Sequence, residues 1–215
     1  MSGLYPAMLR LAGRRCVVVG GGNVAARKVA RLVEAGADVT VVAPDQGPEL
    51  TKLAERGLLQ RRRRSYRRGD LAGACLAFAA TDSRAVNAAV ADEAASLNVP
   101  VNVADNPAVS TFQVPAVIER DGLTLTVSTG GRSPAFARRL REQLEALLST
   151  DRLALLDLYA ELRDFFASEG DHLDGPAWAA ADDQALELIR RGRLAEARDV
   201  LRQQVLASAA ARSRA

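Results

Sequence analysis

The stretch Cys16-Val17-Val18-Val19-Gly20-Gly21-Gly22-Asn23-Val24-Ala25 decides the fold predicted for this chain. Its valines predict a buried β-strand, and its glycines predict a tight turn that leads into a helix. The spacing Gly20-x-Gly22-x-x-Ala25 matches the G-x-G-x-x-G/A fingerprint of dinucleotide sites. In that fingerprint the first glycine permits the turn, the second lets the backbone approach a pyrophosphate, and the small third residue lets helix and strand pack closely. The alternative is a glycine turn that binds nothing.

The residues that follow support a strand–helix–strand unit. An amphipathic segment over residues 24–35 predicts the helix, Gly36 stands where a helix stop belongs, and residues 39–42 predict a second strand. Backbone N–H groups at the start of this helix would face a bound phosphate, with the positive end of the helix dipole behind them. We therefore predict a nucleotide-binding βαβ unit.

The composition of the 215-residue chain limits the classes of protein to consider. At 48% hydrophobic residues it can bury one core and a smaller module. No apolar run approaches the roughly 20 residues of a membrane span and the start lacks a signal-peptide pattern, so we expect a cytoplasmic protein with no membrane partner. Cys16 and Cys75 are expected to be buried side chains, and with one histidine, His172, no metal site is expected. The net charge of +3 permits an anionic ligand without requiring one.

Alternating helices and strands continue to about residue 113. The pattern predicts a helix over 47–56, a strand over 58–64, a buried strand over 76–80, a helix over 84–97 and a strand over 99–103. Thr81, Asp82 and Ser83 are N-cap candidates, and Asp82 in particular is interpreted as a helix cap. The last strand runs into Ala104-Asp105-Asn106-Pro107, at the sheet edge where open parallel sheets bind ligands.

Arginines are concentrated between residues 61 and 68, around Tyr66, in the densest positive patch of the sequence. The favoured interpretation is a solvated edge strand, and an anionic small ligand is the second. A nucleic-acid contact is least favoured because the patch holds one aromatic residue and no nucleic-acid-binding module surrounds it.

The pattern changes from α/β to antiparallel β near residue 114. Segments 116–120 and 123–127 flank Asp121-Gly122, a strong two-residue hairpin signal. Then comes Thr129-Gly130-Gly131-Arg132-Ser133-Pro134, where Ser133 can cap and Pro134 can begin a helix to about residue 148. This second glycine-rich loop is either a capped turn or an anion-binding loop. A hairpin and one helix are too small to bury both faces, so we expect a homodimer.

The sequence from residue 151 onward predicts helices. The first carries amphipathic positions, a break follows between residues 170 and 176, and two further helices run through Leu206 to a frayed end. The amphipathic positions are Leu155, Leu158, Tyr159, Leu162, Phe165 and Phe166. We thus predict an α/β fold with a Rossmann-like parallel sheet domain over residues 1–113, a small α+β dimerisation region over 114–148 and a helical domain over 149–215.

Five islands of sequence carry a family resemblance: VVVGGGNVAARK (17–28), GADVTVVAP (36–44), AATD (79–82), NVAD (102–105) and STGGRSP (128–134). In this order they resemble the dehydrogenase/ferrochelatase module of siroheme synthase, which also occurs as a separate precorrin-2 dehydrogenase. The resemblance covers about residues 8–148, and the helical tail shares only the general character. No methyltransferase domain follows, so the separate dehydrogenase is expected.

The resemblance implies oxidation of precorrin-2 to sirohydrochlorin with NAD as hydride acceptor, followed in some members by insertion of ferrous iron. It implies that Asp105 is the catalytic general base, although an Asp-Asn-Pro turn read alone is more often only a turn. The substrate is a tetrapyrrole with eight carboxylates, which the arginines would suit. Implied cofactor contacts are Gly20, Gly21, Gly22, Asn23, Val24, Ala25, Ala43, Pro44, Thr81 and Asp82. The predicted substrate contacts are Asn102, Thr129, Gly130, Gly131, Arg132 and Ser133. Among them, Arg132 and the backbone N–H groups of Gly130 and Gly131 are expected to hold a substrate carboxylate, by analogy with anion capture at helix N-termini.

One feature departs from the common dinucleotide fold. An acidic residue often follows the second strand and holds the ribose hydroxyls, whereas here Ala43 and Pro44 stand there and Asp45 lies just beyond. NAD is therefore inferred mainly from the resemblance. An alternative function is an NAD(H)-binding redox-sensing module, and another is an oxidoreductase of the same fold with an unrelated substrate. Asp105 and the second glycine loop favour the enzyme, since a sensor needs no base facing the nicotinamide.

Overall fold

The computed structural model of the protein describes residues 3–168 and 181–212, and these form two compact units. The first unit contains the chain up to Pro115 together with Thr129–Ser133. The second contains Ala116–Ser128 and the chain from Pro134 onward. The division at residues 113 and 148 that the sequence predicts stays a prediction.

Five parallel strands form the sheet of the first unit in the order β3-β2-β1-β4-β5. Strand order reverses between β1 and its neighbour β4, and at such a switch point the loops diverge and leave a crevice at the carboxyl edge. This topology confirms the Rossmann-like parallel sheet. The strands are β1 (Arg15–Val19), β2 (Asp38–Val42), β3 (Gln60–Arg62), β4 (Leu76–Ala79) and β5 (Val101–Val103).

Helices cover both faces of this sheet, which explains the continuous apolar run in β1. Cys16 and Val18 pack on the face covered by α1 (Asn23–Glu34) and α2 (Pro48–Glu55), whereas Val17 and Val19 pack on the face covered by α3 (Arg84–Ser96). All four side chains are at most 1% exposed. Cys75 is only half-buried, so the expectation of two fully buried cysteines holds for Cys16 alone.

Two local predictions in the first unit are wrong. The third strand is shorter than the predicted 58–64, because the backbone N–H of Arg64 turns back to the carbonyl of Arg62 at 2.9 Å. Asp82 is not the cap of α3, since the Ser83 hydroxyl accepts the hydrogen bond from the backbone N–H of Val86 at 3.3 Å. Ser83 is the residue with extended dihedrals directly before the helix, which is the N-cap position.

The second unit begins with the predicted hairpin. Strands β6 (Ala116–Arg120) and β7 (Leu123–Val127) pair antiparallel, with Arg120 opposite Leu123. Both turn residues have positive φ, as a two-residue type I′ turn requires. Helix α4 (Pro134–Glu145) packs against both strands.

The described part of the chain after α4 contains three more helices of the second unit: α5 (Thr150–Ser168), α6 (Asp182–Arg190) and α7 (Leu194–Arg212). Phe165 was predicted on the apolar face but is 42% exposed, one position off the buried stripe, with the Arg202 guanidinium 5.1 Å from its ring centre. The last helix runs to Arg212, beyond the predicted end at Leu206. The predicted break at 170–176 and His172 lie outside the described residues. No helix in the described ranges is long and apolar enough to cross a membrane.

Candidate functional site

A cavity of about 660 Å³ lies in the first unit at the carboxyl edge of β1, β2 and β4. Its walls are the glycine turn, the β2–α2 loop, two residues of the β3–β4 segment and the β4–α3 loop. The lining residues are Val19, Gly20, Gly21, Gly22, Asn23, Val24, Val42, Ala43, Pro44, Asp45, Gln46, Gly47, Ser65, Tyr66, Ala80, Thr81, Asp82, Ser83 and Val86. The structure therefore brings together every predicted cofactor residue except Ala25.

The three glycines of the turn differ in how much space is left for a side chain. Gly20 has φ +130°, and a Cβ on it would overlap the carbonyl of Ala80. A Cβ on Gly21 would overlap the carbonyl of Asp45, so neither position accepts a larger residue. A Cβ on Gly22 would meet no atom within 4 Å, so this glycine leaves open space at the wall of the cavity.

The start of α1 offers backbone donors to a ligand in this cavity. Gly22 is the N-cap and supplies no side chain to the first turn. The next three backbone N–H groups have no acceptor within the helix, and the helix dipole adds positive potential there. Ala25 is fully buried in the core beneath the turn, which is the packing role of the third fingerprint position. The turn thus fits the pyrophosphate of a dinucleotide.

The β2–α2 loop packs against the glycine turn and forms the adjoining wall of the cavity. The backbone N–H of Gly47 donates to the carbonyl of Gly21 at 3.0 Å, and this bond fastens the loop to the turn. Gln46 precedes Gly47 in this loop, and its Oε1 and Nε2 are both shut off from solvent and have no hydrogen-bond partner among the described residues. Among the described residues that line the cavity, Asp45 and Asp82 are charged and none is a lysine or an arginine.

The β4–α3 loop is held by a buried asparagine. The Thr81 hydroxyl donates to Oδ1 of Asn87 at 2.8 Å, and Nδ2 of Asn87 donates back to the carbonyl of Thr81 at 2.9 Å. Asn87 is 9% exposed, so water competes little for these bonds. Thr81 therefore keeps a fixed place in the cavity wall.

Tyr66 contributes an aromatic wall that the β3–β4 segment holds in place. Its hydroxyl donates to the carboxylate of Glu93, which is 2% exposed. Glu93 also accepts the backbone N–H groups of Gly69 at 2.9 Å and Leu71 at 3.2 Å. Burial, reinforced by the neighbouring carboxylate, raises the pKa of Tyr66 far above its usual value, so this phenol stays protonated.

A second buried carboxylate, that of Asp70, binds residues of the arginine patch. It accepts from Arg64 at 2.6 and 2.7 Å, from Arg62 at 2.6 Å and from the backbone N–H of Arg67 at 2.9 Å. The Arg64 guanidinium is the main cause that lowers the pKa of Asp70 well below its usual value, while burial opposes the shift. Two arginines of the predicted patch thus pair with one buried carboxylate: Arg62 at the end of the edge strand β3 and Arg64 just beyond it.

Asp105 follows β5 at the carboxyl edge of the sheet and is exposed, but it does not line the cavity. Its φ of +56° places it in the left-handed region. The backbone N–H of Ala104 pairs with the carbonyl of Ala79 at 2.8 Å, which ties the start of this turn to β4. The carboxylate is thus offered to solvent on a turn joined to the sheet.

Lys28 lies on α1 and reaches the side chain of Asn102. Its Nζ donates to Oδ1 of Asn102 at 2.8 Å and lies 4.9 Å from the ring centre of Phe78. Nδ2 of Asn102 donates to the carbonyl of Phe112 at 3.1 Å, so this predicted substrate contact makes bonds inside the protein. Burial is the main cause that lowers the pKa of Lys28, and Asp105 acts in the opposite direction.

The second glycine loop is a turn closed on Thr129. The backbone N–H of Arg132 donates to the carbonyl of Thr129 at 3.2 Å, and that of Ser133 donates to its hydroxyl at 3.0 Å. Gly130 and Gly131 have positive φ, and the Arg132 side chain is exposed. None of these residues lines the cavity, so the structure does not bring the predicted substrate contacts into the same pocket as the glycine turn.

Sequence reasoning gave no site role to several residues that shape this edge of the sheet. The sequence around these residues contains few features that indicate a functional site. Lys28 is one of two lysines in the chain, and Asp45-Gln46 follows the second strand where a ribose contact belongs. The residues without an assigned role were Gln46, Tyr66, Asp70, Glu93 and Lys28.

Two family models match the chain in succession. Residues 7–116 match the family described as "Putative NAD(P)-binding", and residues 120–147 match the one described as "Sirohaem biosynthesis protein central".

Similar curated proteins are siroheme synthases. Identity is 43% to that of Methylobacillus flagellatus and 44% to that of Methylococcus capsulatus, each over 159 residues that make up 74% of this chain and 34% of the relative. It is 39% over 193 residues to that of Chromobacterium violaceum, which is 90% of this chain and 40% of the relative. The chain thus spans between a third and two fifths of these relatives.

A similar solved structure is that of SirC, a precorrin-2 dehydrogenase. The two chains are 28% identical and superpose with a TM-score of 0.69. The match covers 94% of this chain and 98% of SirC.

Proposed function

The chain belongs to the "Putative NAD(P)-binding" family, and from this premise we propose that it is an NAD-dependent precorrin-2 dehydrogenase that forms sirohydrochlorin in siroheme biosynthesis. The resemblance to the siroheme synthase module, inferred from five islands of sequence, is confirmed by the family and relative matches. The observation that carries the proposal is the likeness to SirC, which extends over nearly the whole of both chains.

NAD would be held in the cavity at the carboxyl edge. The backbone N–H groups at the start of α1 suit its pyrophosphate, and the open space at Gly22 lets the phosphates approach. The β2–α2 loop and the β4–α3 loop, with Ala43, Pro44, Thr81 and Asp82, would enclose the rest of the molecule. When bound, the nicotinamide accepts two electrons and one of the two hydrogens that the substrate loses.

Asp105 would take the other hydrogen as a proton. Its carboxylate is exposed on a turn at the ligand edge of the sheet, where a substrate can reach it. Lys28 lies close enough for the two charges to interact, because the Asp105 carboxylate raises the pKa of Lys28 against the larger lowering by burial. Lys28 also holds Asn102 on β5, so the strand that presents Asp105 is fixed from α1.

The substrate carboxylates would be bound by the second glycine loop. Arg132 is exposed, and the turn closed on Thr129 fixes its backbone. A guanidinium and neighbouring backbone N–H groups form charge-assisted hydrogen bonds with a carboxylate. The loop therefore suits one edge of an octacarboxylate tetrapyrrole, with Thr129, Gly130, Gly131, Arg132 and Ser133 as the contact residues.

Two further parts of the proposal follow from the resemblance. Sirohydrochlorin would accept ferrous iron as a second substrate, so the protein would also form siroheme, with Asp105 assisting. The protein would act as a cytoplasmic homodimer.

The direct test is to incubate the purified protein with precorrin-2 and NAD and to record the absorption spectrum of sirohydrochlorin as it forms. Ferrous iron is then added, and conversion to siroheme is followed in the same way. A reaction mixture without NAD is the control. A protein that binds NAD but never oxidises precorrin-2 would contradict the proposal and would favour the redox-sensing alternative.

A further inference from the structure

Gln46 presents an unusual polar group at the wall of the cavity. Both its amide oxygen and its amide nitrogen are excluded from solvent, and neither has a hydrogen-bond partner among the described residues. The residue lines the cavity and is flanked by Asp45 and Gly47, whose backbone groups pack on Gly21. The loop that carries Gln46 is therefore fixed to the glycine turn.

An unpaired buried amide costs free energy. A buried donor or acceptor without a partner has lost its hydration without compensation, and an absent partner is one explanation for such a group in a native protein. Rotation about the side-chain torsions of Gln46 toward the cavity would bring the amide to a ligand there. A ligand with hydroxyl groups could pair with both the carbonyl oxygen and the NH₂ group.

The position of Gln46 indicates which part of a ligand it meets. In dinucleotide folds, the residue that binds the ribose hydroxyls of the adenosine half lies after the second strand, roughly 20 residues beyond the glycine turn. Here the residues directly after β2 are Ala43 and Pro44, which have no polar side chain, so the first polar side chains of the loop are Asp45 and Gln46. Asp45 is exposed, whereas the amide of Gln46 is buried and unpaired.

We infer that Gln46 is the side chain that recognises the adenosine ribose hydroxyls of the dinucleotide. This inference rests on the proposed function, because it takes the cavity to be the NAD site. The charges of the wall agree with a neutral diol as the partner, since Asp45 and Asp82 are the charged lining residues and would repel a phosphate on that ribose.

The test compares Gln46→Met with Gln46→Glu by isothermal titration of NAD and of ADP-ribose, together with the melting temperature of the ligand-free protein. Methionine keeps the length but removes both polar atoms, so affinity for both ligands should fall about 3- to 10-fold, the equivalent of one hydrogen bond. The ligand-free variant should melt at the same or a higher temperature, because an unpaired buried group has been removed. Glutamate keeps acceptors for ribose hydroxyls, so Gln46→Glu should retain NAD affinity within about threefold.

The matched control is Gln60→Met, because Gln60 is exposed on β3 and does not line the cavity. It should leave both affinities unchanged. Unchanged affinity in Gln46→Met, or an equal loss in Gln46→Glu, would overturn the role of Gln46 while the wild type still binds NAD. A clear fall in the melting temperature of ligand-free Gln46→Met would also overturn it, since the amide would then have a partner in the folded protein. Failure of the wild type to bind NAD would remove the proposed function and this inference together.

Discussion

At the scale of single residues, a substitution at Gly22 can test NAD binding without disturbing the fold. Its Cβ position is open and its φ of −85° suits any residue, so Gly22→Asp should fold, and an aspartate at an N-cap stabilises a helix. Two like charges about 4 Å apart at a protein surface repel by about 4 kcal/mol, so NAD affinity should fall at least about 100-fold. Isothermal titration measures the affinity, and the melting temperature reports the fold.

Gly22→Asn is the matched control for this prediction, because asparagine has nearly the same shape and also suits an N-cap. It should lose less affinity than Gly22→Asp, and the difference reports the charge at the pyrophosphate position. Equal NAD affinity in the wild type and in Gly22→Asp would mean that the dinucleotide binds elsewhere.

Asp105 can be tested with little disturbance of the backbone. Asparagine tolerates the left-handed conformation as well as aspartate does, so Asp105→Asn should keep the turn. It cannot accept a proton, and general-base catalysis is worth about 10²–10⁴-fold, so kcat for precorrin-2 oxidation should fall by that order. NAD affinity should stay nearly unchanged, because Asp105 does not line the cavity.

The outcome that contradicts this assignment is a folded Asp105→Asn protein that oxidises precorrin-2 within about threefold of the wild-type rate, which is small beside the expected range. A variant that still oxidises precorrin-2 and loses only iron insertion would place Asp105 in the second reaction alone.

At the scale of elements, the β3–β4 segment depends on two buried carboxylates, Asp70 within it and Glu93 on α3. Asp70→Asn would leave Arg62 and Arg64 without their anion, although both are partly exposed, at 40% and 32%, and can regain water. We expect a loss of about 2–3 kcal/mol in the free energy of unfolding at pH 7, near the lower end for a broken buried pair. Urea denaturation measures it, with Asp92→Asn on the exposed side of α3 as the control.

The interaction of Asp70 with Arg62 and Arg64 also predicts how the free energy of unfolding depends on pH. The pKa of Asp70 is lowered in the folded state, so its stabilisation is present above the unfolded-state pKa of about 3.9 and is lost as the pH falls toward the folded-state value. The stability difference between wild type and Asp70→Asn should therefore narrow below about pH 4. A difference that stays constant from pH 7 to pH 3 would show that the ionisation of Asp70 does not contribute.

The second glycine loop is the other element with a specific expectation. If Arg132 binds a substrate carboxylate, Arg132→Ala should raise KM for precorrin-2 about tenfold, because a hydrogen bond to a charged group is worth about 1.5–3 kcal/mol. Its exposed side chain should not matter for folding. Steady-state kinetics measures both constants, with the exposed Arg84 as an arginine-to-alanine control. Unchanged KM and kcat in Arg132→Ala would leave the loop with a structural role only.

At the scale of the whole molecule, we expect a homodimer. The hairpin and α4 form a small module, and Leu147 in the second unit is 56% exposed. Pairing two copies would remove such apolar surface from water. Light scattering coupled to size exclusion should report about twice the 22.9 kDa chain mass at micromolar concentration. A single-chain mass across that range would reject the dimer.

The sequence by itself determined the alternating strands and helices of a Rossmann-like domain, the glycine turn and the hairpin. Each depends on residues that are close together in the chain. Valines at consecutive positions form a strand buried on both faces, and Asp121-Gly122 adopts the positive φ values of a tight turn. Predictions from sequence were wrong where adjacent residues could fill the same role, as at the start of α3, where Ser83 and not Asp82 is the N-cap.

Only the tertiary structure decided which of these residues form one site. Glu93 reaches Tyr66 and Gly69 across more than twenty positions, and Lys28 reaches Asn102 across more than seventy, because the sheet order brings their elements together. The buried, unpaired amide of Gln46 also depends on how the β2–α2 loop packs on the glycine turn. Periodicity and turn chemistry are local properties of a sequence, whereas burial and hydrogen-bond satisfaction depend on contacts between distant segments, and the residues proposed here to bind and react are distinguished by those contacts.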